Sequence, residues 1–160
     1  MSRRDDQVAR IAASAKDGPL SVACAESLTA GGVASALARG DNASSWLRGA
    51  VVAYASEVKF EVLDVPDGPV VTAACATQMA VSVAEQLRAD ASVATTGVGG
   101  PDPQEGEPAG TVYIATSVHG RTHAVRHEFD GDPASIIEQT IEAALTQLAT
   151  ALTEQVPRTG

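Results

Sequence analysis

Three short segments of this chain carry residues that could do chemistry together. The first is Ala25-Glu26-Ser27-Leu28-Thr29-Ala30-Gly31-Gly32. Its serine stands between an apolar run and an Ala-rich helical stretch, a position where a hydroxyl can meet backbone N–H donors. Those donors and the helix dipole can stabilise an oxyanion or hold a phosphate. The plainer reading is that Ser27 or Thr29 only caps the helix. The second segment is Tyr54-Ala55-Ser56-Glu57-Val58-Lys59. Taken alone, a tyrosine and a lysine at this spacing read as a phenol at the edge of the core and a solvated amine. Facing Ser27 they mean more. A hydroxyl nucleophile needs a base, and no His–Asp pair is evident in the sequence. A lysine can serve if desolvation or a neighbouring positive charge lowers its pKa, and a tyrosine hydroxyl can relay the proton. The third segment, Thr95-Thr96-Gly97-Val98-Gly99-Gly100-Pro101-Asp102-Pro103, lets the backbone approach a ligand closely at its glycines. It is not a Walker loop, because no Lys-Ser/Thr follows, and alone it reads equally as a surface connection.

The elements around these segments follow from hydrophobic spacing. Residues 3–16 carry Val8, Ile11, Ala12 and Ala15 at helical intervals, and Gly18-Pro19 stops them. Residues 20–25 read as a buried strand. Residues 29–39 read as a helix closed by Gly40 in the manner of a C-cap. Residues 50–54 read as a second buried strand and 56–63 as a short helix, before a loop at Pro66, Gly68 and Pro69. Thr72 is an N-cap for a helix over 73–88, and residues 91–95 are a third strand that runs into the glycine loop. Residues 111–118 and 122–129 form a hairpin turned at His119-Gly120. Pro133 suits the first turn of a last helix bearing Ile136, Ile137, Ile141, Leu145 and Leu148. The tail from Thr153 is expected to fray.

Alternating helices and short strands followed by one hairpin predict a three-layer α/β/α sandwich with a mixed, mostly parallel sheet, in a single domain over 1–160. Ligands in such sheets bind beyond the carboxyl ends of the strands. The loops after Ala25, Tyr54 and Thr95 all meet that description.

Composition narrows the partners. The chain has 160 residues, 44% hydrophobic and 3% aromatic, with 11 basic against 20 acidic residues and a net charge of −9. That balance argues against a nucleic-acid binder, which needs a basic face. No apolar run reaches the roughly 18 residues of a spanning helix, and no apolar segment follows the charged N-terminus as in a secretory signal. Cys24 and Cys75 lack metal or disulfide spacing. His119, His123 and His127 recur every fourth residue, but on a hairpin that sets them far apart along one face of an extended ribbon. A cytoplasmic protein without metal is the expectation.

The segments occur in a fixed order: Ala-Glu-Ser-x-Thr-x-Gly-Gly at residues 25–32, Gly-x-Val-x-x-Tyr-x-x-x-x-Lys at 49–59, Thr-Gly-x-x-Gly-Pro at 96–101 and Gly-Thr-Val at 110–112. In that order and spacing they resemble the C-terminal domain of the competence/damage-inducible CinA family, over about residues 5 to 152. The resemblance implies an α/β/α fold, a homodimer and a nicotinamide-nucleotide amidohydrolase that converts nicotinamide mononucleotide to nicotinate mononucleotide and ammonia. It further implies the stand-alone form of that domain, with Ser27 as nucleophile and Tyr54 and Lys59 as proton-handling partners. The substrate-binding set expected around them is Glu26, Thr29 and Gly31 from the first loop and Gly97, Gly99 and Gly100 from the third. The chain also departs from the family pattern. Cys24 stands where Thr is frequent, Ala30 where Gly is, and Ser56 where Asn is. The glycine loop continues as Asp102-Pro103-Gln104-Glu105-Gly106-Glu107, where many members have a further Gly after Pro. Pro133 follows Asp132 where the family usually has Arg, and Ile137 lies near a second usual Arg.

The expected mechanism is acyl transfer from a linear carboxamide through Ser27, with Lys59 neutral in the reactive state and no metal or organic cofactor. Lys59 is expected to be buried beside Tyr54, near the positive end of the helix beginning at Thr29. The substrate phosphate is expected at a helix N-terminus or on Arg48 or Arg126. A related amidase with another substrate and a catalytically silent nucleotide-binding or regulatory domain are the alternatives.

Overall fold

In the computed structural model of the chain, which describes residues 2–155, the first helix, α1 (Arg3–Asp17), starts at a reciprocal cap. The Ser2 hydroxyl accepts from the Asp5 N–H at 3.1 Å, and the Asp5 carboxylate accepts from the Ser2 N–H at 3.3 Å. The residues expected to face inward, Val8, Ile11, Ala12 and Ala15, are buried. β1 (Val22–Glu26) follows, then α2 (Gly32–Leu37), α3 (Ala43–Trp46), β2 (Leu47–Val52), α4 (Ser56–Val62), α5 (Ala73–Leu87), β3 (Ala91–Gly97), β4 (Thr111–Val118), β5 (Arg121–Glu128) and α6 (Pro133–Gln155).

The strands lie in the order β2-β1-β3-β4-β5. β1 is parallel to both β2 and β3, and β4 is antiparallel to both its neighbours, so only β4 opposes the common direction. β1 is buried along its whole length because both faces are covered. Val22 and Cys24 pack into a cluster with residues of α1, α2, α3 and α6, whereas Ala23 and Ala25 meet α5 on the other face. The result is a three-layer α/β/α sandwich. Fully buried side chains such as Leu145 and Leu148 of α6 supply its stability, at about 1.5–3 kcal/mol each. Thr72 caps α5 by accepting from the Cys75 N–H at 3.0 Å. The β4–β5 turn puts His119 (φ 50°) and Gly120 (φ 80°) in the left-handed region, as a tight two-residue hairpin requires.

The outline differs from expectation in several places, each with a local cause. α2 is shorter than residues 29–39 because Ala30 (φ 49°) and Gly31 (φ 99°) take left-handed conformations that turn the chain first. Gly40 is not its cap. It is small because a Cβ there would meet Trp46 at 2.9 Å and Val8 at 3.0 Å. β2 starts earlier than residue 50 and ends at Val52, opposite Glu26. It is an edge strand that alternates in burial, not a buried one, and Ala53 and Tyr54 lie beyond it. α3 has no counterpart in the expected elements. The tail from Thr153 remains helical to Gln155, and residues 156–160 lie outside the described residues.

Because β1, β2 and β3 run parallel, their carboxyl ends open onto one edge of the sheet. The three chemistry-bearing segments leave the sheet at that edge.

Candidate active site

The turn that presents Ser27 is braced from beneath by Glu26. This carboxylate is fully buried at the end of β1. Its Oε1 accepts from the Thr29 hydroxyl at 2.6 Å and from the Val33 N–H at 2.8 Å. Its Oε2 accepts from the Ala34 N–H at 3.0 Å. The first turn of a helix leaves N–H groups without partners, and α2 has no side-chain cap of its own. Glu26 supplies the missing acceptors from below. Thr29 in turn shares a hydrogen bond of 2.9 Å with Thr95 on β3, which ties the turn to the neighbouring strand. Ser27 itself is only 5% exposed.

Ser27, Tyr54 and Lys59 line one cleft of about 380 Å³, together with Thr96 and the glycine loop from Gly97 to Pro103. The parallel ladder explains the convergence: the Ala53 N–H continues it by donating to the Glu26 carbonyl at 2.7 Å, which sets the Tyr54 loop beside the Ser27 turn. The glycine loop comes against the same turn, where a Cβ on Gly99 would lie 3.8 Å from Leu28 Cβ. Gly97 has a different reason to be glycine. A Cβ there would meet the Thr111 carbonyl oxygen at 2.5 Å and Val112 Cα at 2.7 Å, so its close approach is to β4 and not to a ligand. Gly100 takes φ 80°, which favours glycine. Among the described residues, the N–H groups of Leu28, Gly99 and Gly100 donate to no other backbone group. Ser27 Oγ, Tyr54 Oη and Lys59 Nζ share the cleft without being hydrogen-bonded to one another.

Lys59 projects from α4 and is 3% exposed. Burial pushes its ammonium below the ordinary 10.5, while the nearby Cys75 thiol and Glu105 carboxylate act in the opposite sense. Tyr54 stands at the cleft rim, 70% exposed, so most of its side chain faces solvent. At the start of α2 the Glu26 carboxylate accepts from the Val33 and Ala34 N–H groups and so offsets the positive end of that helix. Glu105, which the sequence marks only as part of the continued glycine loop and not as a site residue, accepts from the Val70 N–H at 2.9 Å and the Val71 N–H at 3.0 Å. It thereby clamps the glycine loop onto the segment before α5. This contact spans some 35 positions, and nothing local in the sequence announces it.

Of the expected binding set, Gly97, Gly99 and Gly100 line the cleft, whereas Glu26, Thr29 and Gly31 do not. The two arginines considered for a phosphate are also elsewhere. Arg48 Nε donates to the Leu87 carbonyl at 2.9 Å, and Arg126 pairs with Glu107 and Glu128 at 3.2 Å each. Pro133 and Ile137 of α6 do reach the cleft wall. A larger cavity of about 660 Å³ lies at the opposite sheet edge, between α1, Leu20, Trp46 and Asp90. Polar groups there already serve the fold, with the Ser21 hydroxyl donating to Asp90 and Trp46 Nε1 donating to the Asp41 carbonyl.

Comparison with known proteins supplies a family. The family model described as the CinA C-terminal domain matches residues 5–152. A competence-damage inducible protein of Lactiplantibacillus plantarum, so named without proof of activity, is 37% identical over 141 residues, covering 84% of this chain and 34% of the relative. A like-named protein of a Geobacillus strain is 45% identical over 108 residues, covering 64% of this chain and 26% of the relative. The chain thus spans about a third or less of the length of these two relatives. Among solved structures, a competence or damage-inducible protein from Enterobacter asburiae superposes with a TM-score of 0.91 at 28% identity, covering 95% of this chain and 99% of the other. The CinA superfamily protein from Klebsiella pneumoniae 700603 gives 0.89 at 28% identity over 94% and 98%.

Proposed function

Since the chain belongs to the CinA C-terminal domain family, we propose that its cleft is the active site of a serine-type amidohydrolase acting on a pyridinium carboxamide, with nicotinamide mononucleotide as the substrate the family resemblance implies. The observation that carries this reading is the opening of Ser27 and a buried lysine onto one cleft. Neutral Lys59 takes the Ser27 proton, directly or through the Tyr54 hydroxyl, as Ser27 Oγ attacks the carboxamide carbon. The C=O electrons move onto oxygen, and the Leu28, Gly99 and Gly100 N–H groups are the candidate donors to that oxyanion. The tetrahedral adduct then collapses, and the C–N bond breaks as nitrogen takes the proton back and leaves as ammonia. Water deprotonated by the same relay attacks the acyl-serine ester, releasing the carboxylate and restoring Ser27.

The ring nitrogen's positive charge makes the carboxamide more electrophilic. The exposed Tyr54 ring at the rim offers a face for that cation. Each step uses only side chains and backbone groups of the chain. As the resemblance implies, the protein acts as a cytoplasmic homodimer in pyridine-nucleotide salvage. No helix of the described residues is long and apolar enough to cross a membrane.

The test is ammonia release from nicotinamide mononucleotide by the wild type and by Ser27→Ala. Loss of the nucleophile is expected to lower kcat by several powers of ten, whereas loss of a cap costs only about 1 kcal/mol of stability. A Ser27→Ala variant with near-normal turnover would remove Ser27 from the mechanism.

A further inference from the structure

Recognition of a phosphate by a protein rests on cations or on free backbone N–H groups. The cleft offers one cation, Lys59, and its free backbone N–H groups at Leu28, Gly99 and Gly100 are the ones the amidase reading assigns to the oxyanion. Among the described residues that line it, Lys59 is the sole cationic side chain, and the amidase reading commits it to the reacting end, buried and neutral. Arg48 and Arg126 are held elsewhere by their own partners. The wall opposite the glycine loop is the start of α6, where a Cβ on Gly100 would stand 4.0 Å from Pro133 Cγ. A helix of 23 residues could present an anion site at that end, but of its first N–H groups only that of Ala134 is left without an acceptor among the described residues. Pro133 has no N–H to offer. The Asp132 carboxylate accepts from the Ser135 N–H at 2.8 Å, and the Asp132 carbonyl accepts from the Ile136 N–H at 3.0 Å. This N-terminus therefore carries a negative charge of its own. One turn on, Ile137 adds an apolar side chain to the wall, and across the cleft Asp102 adds a second carboxylate.

We infer that the cleft does not read a phosphate: it selects a carboxamide borne on an uncharged or cationic body, and Pro133 and Ile137 are the residues that set this preference. The substrate class is then the pyridinium nucleoside, or another amide without an anionic tail, at least as much as the nucleotide. The inference rests on the amidase reading for the orientation of the carboxamide toward Ser27. The acidity of the whole chain, at −9, works in the same direction by disfavouring the approach of a dianion.

The experiment compares kcat/KM for ammonia release from nicotinamide mononucleotide and from its dephosphorylated nucleoside, with the full chain. The nucleoside is expected to match or exceed the nucleotide. Ile137→Arg and Pro133→Arg, made separately, should each raise the nucleotide-to-nucleoside ratio by about tenfold or more, the scale of one charge-assisted hydrogen bond. A wild type that prefers the nucleotide by about tenfold or more overturns the inference, as does a ratio that neither variant moves. If neither compound releases ammonia, the amidase reading falls by itself, and the inference is judged by calorimetric binding of the same two compounds. Equal or weaker binding of the nucleotide supports it. A nucleotide bound about tenfold tighter, or binding of neither, overturns it.

Discussion

Replacing Glu26 with glutamine tests whether this residue holds the site together or holds the substrate. Sequence reasoning put Glu26 among the binding residues, but the structure shows a fully buried carboxylate outside the cleft lining, with three donors within 3.0 Å: the Thr29 hydroxyl and the Val33 and Ala34 N–H groups. Glutamine keeps the shape. It must, however, turn its NH₂ toward at least one of those N–H groups, leaving two donors face to face and removing the charge from the other bonds. Hydrogen bonds to charged groups contribute about 1.5–3 kcal/mol each, and a buried donor left without an acceptor costs about 1–3 kcal/mol. The bonds share one carboxylate and do not add fully, so the expected loss is about 3–5 kcal/mol. For a chain of this size that lowers the Tm by roughly 6–20 °C. Calorimetry and urea unfolding measure the loss. The ammonia assay, run well below the lowered Tm, should show kcat falling more than KM rises, because the Ser27 turn loosens while the substrate keeps its contacts. A Glu26→Gln protein within about 0.5 kcal/mol of wild type but with a KM raised tenfold or more would refute this reasoning and return Glu26 to the binding set.

Lys59 makes a pH prediction. Its active form is the neutral amine and burial lowers its pKa, so kcat/KM should rise with pH along a limb centred below 10.5. Lys59→Arg, which keeps the charge but cannot deprotonate, should be nearly as inactive as Lys59→Ala, and an Arg variant with most of its activity and only a higher KM would demote Lys59 to an attractor of anions. The same shift carries a stability sign. The folded state binds the Lys59 proton less tightly than the unfolded chain, so the residue costs stability at neutral pH, and that cost fades as pH rises toward 10.5. Lys59→Met should therefore melt higher than wild type at pH 7, by a margin that shrinks in alkaline buffer. The two loop glycines should behave differently. Gly97→Val should unfold the sheet edge, because its Cβ would strike β4 backbone at 2.5 and 2.7 Å. Gly99→Ala should keep its Tm while losing turnover, and a fully active Gly99→Ala would show that this part of the loop is not in contact with the substrate.

The elements that could be read from the sequence are those whose residues state their own environment. β1 opens as an apolar run and β3 as a run of small residues with Val93 at its centre, both buried because helices cover both faces, and α5 announces itself with Thr72 and its helical spacing. Ser27, Lys59 and the glycine loop could be grouped because each follows a strand of the parallel half. What could not be read depends on contacts across the fold. The length of α2 follows from the left-handed turn at Ala30 and Gly31, and β2 follows from its edge position opposite β1. A glutamate before a serine turn reads as a ligand until its partners seven and eight positions later come into view. The exposure of Tyr54 and the clamp by Glu105 likewise follow from where loops meet.

The direction of β4 leaves the molecule with one edge free of chemistry. Strand β4 opposes its neighbours, so the His119-Gly120 turn falls at the far side of the sheet, where the His119 N–H donates to the Asp90 carbonyl at 2.9 Å just ahead of β3. Both turn residues are exposed and a Cβ on Gly120 would meet nothing within 4 Å. An epitope, a fluorophore or a whole fused partner inserted there would hang from the end of the hairpin, with the length of the strands between it and Ser27. The molecule thus has a built-in handle: it can be tethered to a surface or to another enzyme while its cleft stays turned toward solvent.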